Sequence, residues 1–195
     1  LKRYWEVNPW DAFIMLAYAR VALKKNDYAL AAQLYGDCVE HGGLGYGDML
    51  DYGMALFLTR RCEAALSVFQ RLESSNYSRS TIFNNIGMAL AALGRWQEAV
   101  QYCRRAPESD SSYRFAWDSL GFAHLKGGQY AEAIPALLKA VELEPNYPDA
   151  WRHLLHAYHK NGDADRLEGA KTYVGRVLPE ELARFEREKG TEIQD

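Results

Sequence analysis

Residues 117–145 read WDSLGFAHLKGGQYAEAIPALLKAVELEP. Two helical periods flank one break. Trp117, Leu120 and His124 fall at i, i+3 and i+7, and Ala133, Leu137, Ala140 and Leu143 at i, i+4, i+7 and i+10. Each set puts apolar or aromatic groups on one face of a helix. Between them Lys126-Gly127-Gly128-Gln129 stops the first helix. Pro145, just beyond the second, cannot continue it. The stretch therefore predicts two antiparallel helices joined by a tight turn.

The same hairpin recurs every 34 residues. Gly121 steps back to Gly87, Gly53 and Ala19, and forward to Leu155, the one lapse. Ala133 steps back to Ala99, Ala65 and Ala31, and forward to Leu167. Further ladders run Met15, Met49, Phe83, Trp117, Trp151; then Tyr18, Tyr52, Ile86, Leu120, Leu154; then Tyr35, Phe69, Cys103, Leu137, Lys171; and Tyr28, Cys62, Trp96, Tyr130, Ala164. No insertion interrupts them. A lone hairpin cannot bury its apolar face, so consecutive hairpins are expected to stack.

The pattern Trp117-x-x-Leu120-Gly121-x-x-His124, then Gly128, Tyr130, Ala133, Leu137, Ala140 and Pro145, resembles the tetratricopeptide repeat (TPR). The resemblance covers almost the whole chain as one domain of five units: 12–45, 46–79, 80–113, 114–147 and 148–181. It implies an all-α solenoid, a right-handed superhelix whose first helices line a concave groove that binds peptides or extended protein segments. The fifth unit departs at Leu167 and Lys171, as suits a terminal unit. Residues 182–195 are then a capping helix with an acidic tail. Leu1–Pro9 matches Leu137–Pro145 at four periods, so residues 1–11 read as the end of a preceding repeat, which would make the chain a piece of a longer array. The alternative is an N-terminal cap with Trp5 and Trp10 folded onto the first unit. An open end at Tyr4, Trp5 and Trp10 would favour self-association.

Composition narrows the function. Twenty-three Lys+Arg against 26 Asp+Glu give a net charge of -3. That argues against a broad nucleic-acid surface and against a helical array that reads single-stranded RNA. Residues 179–195 hold six acids and three bases, so they carry the whole net charge. No apolar run is long enough to span a bilayer. Cys38, Cys62 and Cys103 are odd in number, form no C-x-x-C, and lie in apolar helical patterns. They suggest neither a disulfide framework nor a zinc site, and suit a reducing compartment.

Candidate groove residues lie on the first helices, outside the packing ladders. They are Leu16 and Arg20, with Phe13 and Ala17, in unit one; Leu50, Asp51 and Met54, with Phe57, in unit two; Asn84, Asn85 and Met88 in unit three; Asp118, Ser119 and Phe122, with Lys126, in unit four; and Arg152, His153 and His156, with His159 and Lys160, in unit five. One row at the 34-residue step runs Ala17, Asp51, Asn85, Ser119, His153. Four of its members can bond the amides and carbonyls of an extended peptide. Apolar neighbours such as Met54 and Met88 can adapt to varied side chains. The early units are apolar, the middle rich in amides and the fifth basic. A ligand with acidic groups near the fifth unit is expected, bound in a salt- and pH-sensitive way.

Other classes fit poorly. A TPR subclass grips a C-terminal carboxylate with Lys and Asn, but the matching slots here hold Leu16 and Arg20, Leu50 and Met54, or Asn84 and Met88. Asn85 alone fits. His153, His156 and His159 lack the surrounding acids or thiols of a metal site, and no metal or other cofactor is implied. No nucleophile-elbow, phosphate-loop or dinucleotide motif occurs, so no enzyme is suggested. Two readings remain: a scaffold that binds protein segments, or a docking domain of a larger polypeptide whose active part lies elsewhere.

Overall fold

A computed structural model of the protein describes residues 10–41, 43–75 and 77–191. The expectations for Tyr4, Trp5 and the rest of residues 1–9 lie outside these. Among the described residues there are eleven α-helices and no strand. They are α1 (Trp10–Lys24), α2 (Tyr28–His41), α3 (Tyr46–Leu58), α4 (Cys62–Leu72), α5 (Arg79–Ala92), α6 (Trp96–Ser109), α7 (Arg114–Lys126), α8 (Tyr130–Leu143), α9 (Pro148–Asn161), α10 (Ala164–Val177) and α11 (Pro179–Thr191). The first ten pair as five hairpins, and α11 opens at Pro179 and packs on α9 and α10.

The hairpin turns share one backbone device. Asn26, Arg60, Gly94, Gly128 and Gly162, each 34 residues from the next, have φ of 60°, 64°, 74°, 75° and 75°. After each of them, the amide of Asp27, Arg61, Arg95, Gln129 or Asp163 donates to the carbonyl five residues back, at 2.9–3.0 Å. This left-handed cap satisfies carbonyls that the helix end would leave open and turns the chain back on itself. Glycine takes that conformation freely, and asparagine tolerates it.

Two indoles of one ladder brace the segments that join hairpins. The indole of Trp117 donates to the Ser111 carbonyl and that of Trp151 to the Pro145 carbonyl, both at 2.8 Å. The small-residue ladder sets how closely paired helices approach. A Cβ added at Gly53 would lie 2.3 Å from Phe69, at Gly87 2.3 Å from Cys103 Sγ, and at Gly121 2.4 Å from Leu137. The core continues from hairpin to hairpin, through Tyr35, Phe69, Ile86 and Cys103 to Leu137 and Leu154, with Trp117 touching both halves. Successive first helices also touch, α3 with α5, α5 with α7 and α7 with α9. The chain is thus an all-α solenoid of stacked helix hairpins.

Candidate functional site

The first helices leave an open groove of about 620 Å³ across the middle of the stack. Met54 and Phe57 reach it from α3, Asn84, Asn85 and Met88 from α5, Asp118, Ser119 and Phe122 from α7, and Asp149, Arg152 and His153 from α9. Among the residues lining it, only Phe69 comes from a second helix. Consecutive residues on one helix face, repeated at each hairpin, put apolar and hydrogen-bonding groups side by side along the wall.

One end is aromatic. Tyr113, Phe115 and Tyr147 line the groove, with Phe115 edge-on to both tyrosines at ring-centre distances of 5.5 Å. The Tyr147 hydroxyl donates to Asp118 Oδ2 at 3.1 Å. Burial, and then the Asp118 charge, push that hydroxyl well above the usual tyrosine range. Asp118 Oδ1 lies 2.8 Å from His153 Nδ1. An ionised carboxylate only accepts, so Nδ1 donates, which leaves Nε2 for other partners. Asp118 and His153 are both buried, and their bond ties α7 to α9 across the hairpin boundary.

Asn84 and Asn85 are buried too. Asn84 Nδ2 donates to Asn85 Oδ1 at 3.3 Å, while Asn84 Oδ1 is buried with no hydrogen-bond partner. A buried carbonyl oxygen without a donor costs about 1–3 kcal/mol.

Beyond the adjoining rings of Phe122 and His153, 4.8 Å apart, lies a second cavity of about 600 Å³. Phe122, Arg152 and His153 line both cavities; Lys126, His156, Lys160 and Glu188 line only the second. Here the expected cations have partners within the chain. Arg152 pairs with Asp149 and, at 3.4 Å, with Glu181; His156 Nε2 lies 2.9 Å from Glu188. The last two acids belong to α11, so the C-terminal helix moderates the basic character read in the fifth unit.

The structure therefore brings together Met54, Asn84, Asn85, Met88, Asp118, Ser119, Phe122, Arg152 and His153, with His156 adjoining. Leu16, Arg20, Leu50 and Asp51 line neither cavity. Leu16 and Leu50 pack against the core. Arg20 forms a two-pronged bond to Asp48 at 2.8 and 2.9 Å. Asp51 faces the Tyr35 hydroxyl at 3.5 Å. Sequence reasoning passed over Tyr113, Phe115, Tyr147, Phe69 and Asp149. Tyr113 and Tyr147 stand one period apart, but just before their helices, where no helical period marks them.

His153, His156 and His159 do not converge. They face Asp118, Glu188 and the Phe185 ring respectively, and no cluster of His, Cys, Asp and Glu among the described residues could hold a metal ion. Cys38, Cys62 and Cys103 are buried free thiols. No described helix is long and apolar enough to cross a membrane.

Comparison with known proteins agrees with this architecture. Models of the tetratricopeptide repeat match residues 50–114 and 121–162, together more than half of the chain. Among solved structures, TTC0263, a thermophilic TPR protein of Thermus thermophilus, is similar with a TM-score of 0.72 at 15% identity, over 90% of this chain and 97% of that one. YrrB, described as a TPR protein with an unusual peptide-binding site, gives 0.69 at 17%, over 95% and 97%. MamA from Desulfovibrio magneticus RS-1, from residue 41 to its end, gives 0.69 at 20%, over 89% and 95%. No curated protein matches. The chain belongs to the tetratricopeptide repeat family, whose members are in general protein–protein interaction scaffolds rather than enzymes.

Proposed function

We propose that this protein is a scaffold that binds an extended peptide or protein segment in the groove of its first helices. The observation that carries this reading is an open groove of about 620 Å³ in which Met54, Met88 and aromatic rings stand beside the polar Asn84, Asn85, Asp118 and Ser119. Apolar walls supply affinity through burial, and the few polar groups among them fix the ligand's direction. The peptide-binding site ascribed to YrrB supports the same use of the fold. Acidic groups of the ligand belong toward the fifth hairpin, where Lys126, Arg152 and Lys160 outnumber Glu188 around the second cavity.

An array of immobilised random 15-residue peptides, probed with the wild type and with Met88→Glu, tests the reading. Met88 is only partly buried, so the substitution leaves the helices in place and puts a charge among apolar walls. The wild type binds a reproducible subset of peptides and the variant loses most of it. An unchanged binding pattern contradicts the assignment of the groove.

We propose self-association through the N-terminal end as a second reading. Ile14, Tyr18 and Val21, at i, i+4 and i+7 on α1, are 53%, 64% and 47% exposed and form an apolar stripe at the N-terminal end. Sedimentation at rising concentration then shows a growing mass; a constant monomer mass removes this contact.

A further inference from the structure

We infer that the groove reads a bulky apolar side chain and an acidic side chain together, and that Lys126 is the residue that reads the acid. The inference rests on the segment-binding function proposed above and names the ligand it takes.

The two cavities adjoin and differ in character. The first is walled by methionines and aromatic rings and is large enough for an aromatic side chain with its backbone. Its charged lining residues are the acids Asp118 and Asp149 and the cation Arg152. A ligand carboxylate there would lose its water and find no unpaired cation, because Arg152 is held by Asp149 and His153 Nδ1 by Asp118. An apolar side chain meets no such cost. The second cavity carries Lys126, Arg152 and Lys160 against Glu188. Arg152 is engaged by Asp149 and Glu181, and Glu188 by His156 and Arg184. Lys126 differs. Its ammonium stands 5.9 Å from the Phe122 ring centre and has no carboxylate within ion-pair distance among the described residues. It sits on the last turn of α7, beside the rings that separate the cavities.

Charge complementarity therefore sets the order of the ligand: apolar anchor beside Met88 and Phe122, acid beside Lys126. An extended segment advances about 3.3 Å per residue and presents alternate side chains to one face. A ligand crossing the Phe122–His153 wall thus carries its two determinants at one fixed, short separation.

The test uses a random dodecapeptide library displayed on phage, selected in parallel on the whole wild-type chain and on Lys126→Glu. Lys126 is exposed, so the variant keeps the fold, and circular dichroism checks it. On the wild type, enriched sequences share a large apolar residue and an Asp or Glu at constant spacing. On the variant, the apolar residue persists and the acid disappears. A labelled winning peptide loses at least tenfold in affinity on the variant, and its Asp→Asn version binds both proteins alike. Enrichment of apolar sequences without an acid, or acid-bearing sequences indifferent to Lys126→Glu, overturns the inference but leaves segment binding standing. No enrichment on the wild type overturns both.

Discussion

At Gly87 a methyl group would land 2.3 Å from Cys103 Sγ and 3.2 Å from the Cys103 amide nitrogen. The ladders containing Gly121 and Leu137 are therefore two halves of one contact, each small residue facing the residue sixteen positions on. Where the small member becomes Leu155, its counterpart is Lys171, whose ammonium turns instead to Glu168 and Glu186 at 3.1 and 2.8 Å. The two lapses in the sequence pattern thus coincide. In a helix interior Ala is favoured over Gly by about 1 kcal/mol. Overpacking a close contact costs about 1–3 kcal/mol. With a separation of 2.3 Å the clash wins, and Gly87→Ala lowers the unfolding free energy by about 1–2 kcal/mol. Removing the sulfur relieves part of it, so in urea titrations Gly87→Ala/Cys103→Ala is less destabilised than the sum of its single variants. Additive effects would show that the two positions do not meet. Burial also pushes the Cys103 thiol up to about 12, in keeping with an inert packing role.

At the scale of the element, α11 shows what a polar pattern conceals. The sequence marks it as a cap because its acids and bases surround few apolar residues. Yet Phe185 is fully buried, edge-on to His156 at 4.9 Å and His159 at 6.2 Å. Those partners come from α9, almost a repeat away, and no local period announces them. Ion pairs complete the grip. The bond from Lys171 holds the Glu186 carboxyl below the usual glutamate range. At Glu188 burial works the other way, but the bonds from His156 and Arg184 prevail and hold its carboxyl low as well. A depressed folded-state pKa stabilises above the ordinary glutamate value, near about 4.3, and that contribution is lost as the pH falls through the folded value. Hydrogen exchange followed at decreasing pH should therefore show α11 losing protection below about pH 4, ahead of α5 and α7. Equal loss in all three helices would mean that these pairs do not hold the cap.

At the scale of the whole molecule, the 34-residue step made the hairpins and their turns legible from sequence, while the resemblance to the tetratricopeptide repeat implied which helices face inward. Periodicity places Ala17, Asp51 and Asn85 at one register, but does not say how the stack opens. Arg20 is drawn to Asp48 and Leu16 into the core, so the groove opens at α3 rather than at α1. Its aromatic end comes from Tyr113 and Tyr147, whose positions precede their helices and carry no helical signature. Of the two acids that hold Arg152, Asp149 stands three residues away on the same helix, but Glu181 meets it only because α11 returns to α9.

The four methionines divide cleanly for the decisive measurement: Met54 and Met88 line the groove, while Met49 is buried in the core and Met15 belongs to α1. With methyl-labelled methionine, NMR spectra recorded during titration with a peptide selected on the wild type should show the Met54 and Met88 signals moving together to saturation, with Met15 and Met49 still. Binding that saturates while Met54 and Met88 stay fixed would place the ligand on another face and contradict the account.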